Sequence, residues 1–181
     1  SNLPIIYLNL VGGQDDLVFD GGSFVYDNRG TIVCQFPQFL EKTEQVIFEQ
    51  RKNVWVPLPE LIAEIGSRES QDYKAVVLGL RDYVLKSNFH KVVIGLSGGI
   101  DSALVAVMAV DALGAENVVC LALPSKFNSS ASLDDAKQLS ENLGITLETI
   151  GIQEIIDKVD QRLAPLFQGK KRDVTEENIP V

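Results

Sequence analysis

The sequence predicts an α/β chain whose second half is built on a doubly wound parallel sheet. Three observations carry that reading. From Lys91 onward, apolar runs alternate with helical periods: strands over 91–96, 117–123 and 145–150, helices over 101–113, 132–143 and 152–166. Such alternation is a βαβ array, which closes as a parallel sheet with right-handed crossovers. A glycine-rich turn, Gly95-Leu96-Ser97-Gly98-Gly99-Ile100-Asp101-Ser102, joins the first of these strands to the first of these helices. Residues 3–36, by contrast, show no helical period and read as short strands and turns, so the chain has two halves of different grammar.

Taken in order, strands are expected over 4–10, 23–27 and 31–36, with a glycine-rich acidic stretch running up to Gly22. Asn28-Arg29-Gly30 turns the second of these strands into the third, a hairpin signal. Residues 41–56 are charged with β-rich ends. Val56-Pro57-Leu58-Pro59 marks a break, and Gly66-Ser67-Arg68-Glu69-Ser70 has the composition of a linker. From Asp72 the period becomes helical, and Tyr73, Val76, Val77, Leu80 and Val84 are spaced as one buried face. The domains expected are therefore 1–56 and 72–181, joined by a linker over 57–71. Three or so strands in each half are too few to close a core on both faces of a sheet. Thr175-Glu176-Glu177-Asn178 has the form of a helix start with almost nothing after it. The expectation is a fragment cut through two domains, both incomplete.

Composition sets outer bounds. At 181 residues, 45% hydrophobic and 23% charged, the chain is ordinary globular protein. A net charge of −9 argues against nucleic acid or an anionic membrane as main partner. Cys34 and Cys120 lie inside apolar strand-like runs and read as buried thiols. With no disulfide framework, signal peptide or long apolar span, a cytoplasmic location is expected.

The chemistry concentrates in the glycine turn. Gly98 and Gly99 carry no Cβ, so the backbone can curl and bring its N–H groups close to a phosphate. The next helix adds unpaired N–H groups and the positive end of its dipole. Ser97 and Ser102 supply hydroxyl donors, and Asp101 a carboxylate for a phosphate-bound magnesium ion or a charge partner for the helix N-terminus. The string contains neither the Gly-x-x-x-x-Gly-Lys of a Walker loop nor the Gly-x-Gly-x-x-Gly of a dinucleotide fold. Ligands of parallel sheets bind at the carboxyl ends of the strands, where Leu123-Pro124-Ser125-Lys126, followed by Ser129 and Ser130, forms a second polar loop. Lys126 reads as a phosphate contact or a solvated loop lysine, and Ser132 as a helix cap. Asp15, Asp16 and Asp20 read as a polar turn rather than a metal cluster, His90 as a solvated helix-end residue, and Trp55 as interdomain packing.

Ser97-Gly98-Gly99-Ile100-Asp101-Ser102 resembles the PP-loop of the ATP pyrophosphatases. Over nearly its whole length the chain is similar to the middle of the glutamine-dependent NAD synthetases. Asn9-Leu10-Val11-Gly12-Gly13-Gln14-Asp15-Asp16-Leu17-Val18-Phe19-Asp20-Gly21-Gly22-Ser23 resembles the closing part of that family's nitrilase-like glutaminase domain. Leu10 and Asp16 are mild departures, standing where glutamine and glutamate are frequent. Residues 73–84 are similar to the helix that opens the synthetase domain, an adenine nucleotide α-hydrolase-like fold. Leu123–Phe127 with Ser129, Ser130 and Ser132 matches its second ATP-side loop. Asp173–Ile179 matches a motif expected to continue into Gln-Ala-Arg, whereas here Pro180-Val181 follows.

The resemblance implies an enzyme that adenylates deamido-NAD with ATP and Mg2+, then amidates it with ammonia from glutamine. It implies ATP contacts from Gly95, Leu96, Ser97, Gly98, Gly99, Ile100, Asp101, Ser102, Leu123, Pro124, Ser125, Lys126, Ser129 and Ser130. Asp101 would be the metal ligand, Glu177 and Asn178 would touch deamido-NAD, and the working form would be a homo-oligomer. The glutaminase Glu-Lys-Cys triad is expected upstream, since Cys34 follows the glycine-rich string and the family nucleophile precedes it. No glutaminase activity is expected of this chain alone. Two alternatives stay open: an ATP-binding but inert fragment, and another PP-loop amidotransferase such as the synthetases of GMP or asparagine. Residues 9–23 weigh against the latter.

Overall fold

The computed structural model describes residues 3–126 and 130–167. The chain divides into two compact units between His90 and Lys91.

In the first unit, β1 (Ile5–Tyr7), β4 (Phe24–Tyr26) and β5 (Ile32–Gln35) form an antiparallel sheet in the order β1-β4-β5. The turn expected at Asn28-Arg29-Gly30 joins β4 to β5. Asp27 Oδ1 accepts from the N–H groups of Arg29 and Thr31, each at 2.8 Å, and Gly30 takes φ 85°. A carboxylate aimed at two backbone donors closes this turn, which is why Asp suits its first position. Two more hairpins complete the strands: β2 (Val11–Gln14) with β3 (Leu17–Asp20), and β6 (Phe48–Arg51) with β7 (Val54–Pro57). The first of these lies in the glycine-rich acidic stretch, where no strand was expected because glycine and aspartate are both poor strand formers.

The helix of this unit, α1 (Arg68–Lys86), starts four residues earlier than Asp72. Ser67 is its N-cap, accepting from the Ser70 N–H, and Gln71 Nε2 donates to the Gly66 carbonyl at 2.7 Å. Residues of linker composition thus supply the helix start. Residues 60–63 run beside β5, with Glu60 N donating to Val33 O, Gln35 N to Leu61 O and Ala63 N to Gln35 O. The face that α1 buries is only partly the apolar one expected: Val84 is buried and Tyr73, Val77 and Leu80 are half-buried, but Val76 is 51% exposed, and Leu78 and Asp82 are buried as well.

The reason is the partner. Helix α1 packs on β2 and β3 through glycines: a Cβ on Gly13 would sit 3.3 Å from Gly79 Cα, and a Cβ on Gly79 would meet Val18 at 3.0 Å. Close backbone approach brings Asp82 over Gly13, whose N–H donates to Asp82 Oδ2 at 2.8 Å. Lys86 donates to the Gly13 carbonyl and pairs with Asp82 at 3.3 Å. One carboxylate and one ammonium therefore satisfy both backbone groups of a single glycine.

In the second unit, β8 (Val92–Gly95), β9 (Val118–Ala122) and β10 (Thr146–Thr149) form the expected parallel sheet, in the order β8-β9-β10. Helix α2 (Ile100–Leu113) packs on β8 and β9, α3 (Ser130–Leu143) on β9 and β10, and the two helices touch. Small residues on α2 (Ala106, Ala109 and Ala112) and alternate residues of β9 (Val118, Cys120 and Ala122) are buried and form the core. Helix α4 (Gln153–Leu163) follows β10 and inserts Ile156, 1% exposed. Alanine on the inner stripe of α2 lets the helix lie close to the sheet, which sets the height of its N-terminus above the strand ends.

Candidate functional site: a phosphate loop at the carboxyl ends of β8 and β9

The two loops expected from sequence leave the carboxyl ends of the neighbouring parallel strands β8 and β9. Gly95 pairs with Leu121, and the ladder is extended by Leu96 N donating to Leu121 O at 2.8 Å. Leu96 is buried and anchors the start of the turn. Beyond it the chain curls through Ser97, Gly98 and Gly99 into α2, whose N-cap is Gly99 with no side-chain capping bond. The helix N-terminus is therefore left to another acceptor.

The serines organise the curl. Ser102 Oγ donates to the Gly99 carbonyl at 3.0 Å, accepts from the Ser97 N–H at 3.2 Å and lies 3.1 Å from Ser97 Oγ. Ser97 Oγ also accepts from the Gly99 N–H at 3.3 Å. All four of these bonds are exposed, and each is at or beyond the long end of its normal range. Asp101, in the first turn of α2, is exposed on the same rim, and Ile100 is 81% exposed.

The glycines are not equivalent. Gly98 has φ 83°, and a Cβ there would lie 2.2 Å from the Ser132 carbonyl oxygen and 2.7 Å from its carbon. Backbone conformation and backbone contact both require glycine, and that contact seats the first turn of α3 against the loop. A Cβ on Gly99 would meet only Ser97 Oγ at 3.4 Å, and one on Gly95 would meet nothing within 4 Å. Packing leaves those two positions free to carry a side chain.

On the adjacent strand end, Leu123, Pro124, Ser125 and Lys126 lead away from β9. The Pro124 carbonyl accepts from Ile152 N at 3.3 Å, and the Lys126 N–H donates to Gln153 Oε1 at 2.8 Å. Lys126 Nζ lies 3.8 Å from Asp157 and 3.8 Å from Asp160. These α4 partners were missed from sequence. Their spacing marks one helix face, but only the fold turns that face toward the loop. Ser129, Glu177 and Asn178 lie outside the described residues. Ser130 opens α3, and its side chain lies outside them too.

Elsewhere the predicted bland readings gain partners. Asp20 accepts from Asn9 Nδ2 at 3.1 Å and from Gln38 Nε2 at 2.7 Å, so both its oxygens hold the polar turn together. Among the described residues no group of three or more His, Cys, Asp or Glu is placed to hold a metal. Burial, with Glu60 and Glu44 nearby, pushes the Cys34 thiol up, and burial does the same to Cys120. A thiol raised in this way is a poor nucleophile. Trp55 is 55% exposed. No helix among the described residues is long and apolar enough to cross a membrane.

A buttressed glycine turn, two serine hydroxyls and an uncapped helix N-terminus on a parallel sheet edge define an α/β protein with a PP-loop domain. A sequence family described as NAD synthase matches residues 72–180, and the chain belongs to that family. It is 51% identical to a glutamine-dependent NAD(+) synthetase of Rhodobacter capsulatus over 180 residues, covering 99% of this chain and 32% of that protein. The counterpart in Synechocystis is 42% identical over 98% of this chain. Among solved structures, the glutamine-dependent NAD+ synthetase of Acinetobacter baumannii, in complex with ADP, superposes with TM-score 0.93 at 39% identity, covering 99% of this chain and 34% of that one. The NH3-dependent NAD synthetase of Campylobacter jejuni superposes at 0.54 and 31% identity, over 64% of this chain and 48% of that one. The chain spans about a third of the length of the curated relatives it matches.

Proposed function

We propose that the turn from Gly95 to Ser102, with Leu123–Lys126 beside it, holds the phosphates of Mg-ATP for adenylation of the nicotinate carboxylate of deamido-NAD. The observation that carries this is the uncapped N-terminus of α2 on a turn buttressed at Gly98. Gly98 is explained by packing, while a Cβ on Gly99, the N-cap of α2, would meet only Ser97 Oγ at 3.4 Å among the described residues. A helix start without a side-chain cap, beside backbone N–H donors and serine hydroxyls, suits a phosphate.

In this reading the Ser97–Ser102 hydrogen bonds are placeholders that exchange for phosphate oxygens. The α2 N-terminus faces the charge that accumulates on pyrophosphate as the carboxylate oxygen attacks the α-phosphorus. Asp101 is a hard oxygen donor on the open rim, of the type magnesium takes, with phosphate and water completing its shell. Bound magnesium would neutralise the departing pyrophosphate. Ammonia from glutamine then displaces AMP from the activated carboxylate. Residues 1–56 would belong to the glutaminase part, residues 72–181 to the synthetase part, and the whole would work as a cytoplasmic oligomer.

Asp101→Ala should weaken Mg-ATP binding by about tenfold or more and leave the fold intact. The fold is spared because an exposed first-turn carboxylate contributes only about 0.3–1 kcal/mol to its helix. Calorimetric titration of the chain with Mg-ATP and circular dichroism check both halves of that statement, and unchanged affinity would remove Asp101 from the metal site. Labelled pyrophosphate exchange with deamido-NAD separates a catalytic chain from one that binds ATP without turnover.

A further inference from the structure

We propose that Asp157 and Asp160 of α4 are positioning residues that hold Lys126 back from the nucleotide and so set ATP affinity through that lysine. This rests on the reading of the loop as a Mg-ATP site. Lys126 is the cation that the second loop brings to the rim, and α4 grips it twice. Its backbone N–H donates to Gln153 Oε1 at 2.8 Å, and Gln153 Nε2 in turn donates to Asp157 Oδ1 at 2.7 Å. Its ammonium lies 3.8 Å from Asp157 and from Asp160. Residues 153, 157 and 160 follow the i, i+4, i+7 spacing of one helix face, so a single rigid surface makes all of these contacts. The Pro124 carbonyl accepting from Ile152 N ties the loop to the start of the same helix.

The grip is firm at the backbone and loose at the charge. At 3.8 Å both ion pairs sit at the outer limit of direct contact, and the lysine side chain is 44% exposed. Phosphate oxygens of a bound nucleotide take charge-assisted bonds from lysine. The ammonium can therefore swing from α4 to a phosphate while the Gln153 bond keeps the loop in place. Every nucleotide that engages Lys126 must first displace it from these carboxylates, and the apparent affinity falls by the fraction of chains in which the lysine is held.

The test is a cycle of Mg-ATP titrations on the whole chain: unaltered, Asp157→Asn with Asp160→Asn, Lys126→Ala, and all three changes together. The double neutral variant should bind roughly three- to tenfold tighter, by the same population argument. In the Lys126→Ala background the same two changes should alter affinity less than about twofold, because their effect runs through the lysine. Equal tightening in both backgrounds would mean the carboxylates act only as a repulsive field, and would overturn the proposal; so would unchanged or weaker binding. Asp157→Asn alone, at a half-exposed position, gives a second variant if the pair disturbs α4, and it should tighten binding in the same direction. Absence of Mg-ATP binding by the unaltered chain would overturn the ATP-site reading, and this proposal with it. Binding by the unaltered chain with no response in the variants overturns the positioning role alone.

Discussion

Gly98 shows how one residue can carry both conformation and contact. Its φ of 83° lies where a side chain is strained, and the Ser132 backbone fills the space a Cβ would take. Gly98→Ala should cost about 1–3 kcal/mol from backbone strain alone. It should also push the start of α3 off the loop, since a carbonyl 2.2 Å away cannot rotate aside as a side-chain tip would. We expect a lower melting temperature together with a loss of Mg-ATP affinity of about tenfold. Gly95→Ala, with nothing within 4 Å, should leave the melting temperature nearly unchanged, and paired thermal melts check the contrast.

Asp82 is the other residue whose role only its surroundings reveal. Burial alone would raise its pKa, but the Gly13 N–H, Arg81 and Lys86 outweigh that and hold it below the ordinary carboxylate value. A carboxyl whose pKa is lowered on folding contributes stability above its unfolded value, and loses it as pH falls through the folded one. Asp82→Ala should therefore destabilise the chain by about 1–3 kcal/mol near neutral pH, leaving a buried N–H unpaired. The difference from the unaltered chain should shrink below about pH 4, where the unfolded carboxyl is protonated. Denaturant titrations at pH 7 and pH 3.5 measure it, and a pH-independent difference would show that the ionised form is irrelevant.

At the level of elements, the strands and helices of the second unit were legible because short β-rich runs alternate regularly with helix-length segments. The register of α1 was legible only in part. Its apolar spacing points to Val76, but a glycine hairpin accepts a helix only through its own small face, and Gly79 provides it. An aspartate on that face reads as solvated until the unpaired glycine N–H opposite is known. The β6–β7 hairpin was hidden for a different reason. Its two-residue turn is Lys52-Asn53, with φ of 50° and 63°, a conformation that usually announces itself as Asn-Gly. Lys52→Asn with Asn53→Gly should relieve this strain and stabilise the hairpin by about 0.5–1 kcal/mol. Slower amide exchange across residues 48–57 is the measurement.

Over the whole molecule, large apolar side chains are exposed in number. Along β1 and just beyond it, Ile5, Ile6, Tyr7, Leu8 and Leu10 are each 47–84% exposed. An exposed apolar edge strand is a template for association. Ile6→Lys with Leu8→Lys should reduce concentration-dependent light scattering while leaving Mg-ATP affinity unchanged, since neither residue belongs to the Gly95–Ser102 turn or the Leu123–Lys126 loop. Equal scattering from the variant would place the sticky surface elsewhere.

The sequence by itself determined the parallel sheet, the position of the phosphate turn and its kinship with the PP-loop enzymes. The first two follow from local periodicity and from residue types whose chemistry does not depend on neighbours, and the kinship from the resemblance of Ser97-Gly98-Gly99-Ile100-Asp101-Ser102 to the family's loop. Tertiary structure alone decided which glycine is buttressed, that Asp82 lies on the buried side of α1, and that α4 carboxylates hold Lys126. Each of those is a contact between segments far apart in the chain, set by backbone approach distances that no local pattern encodes.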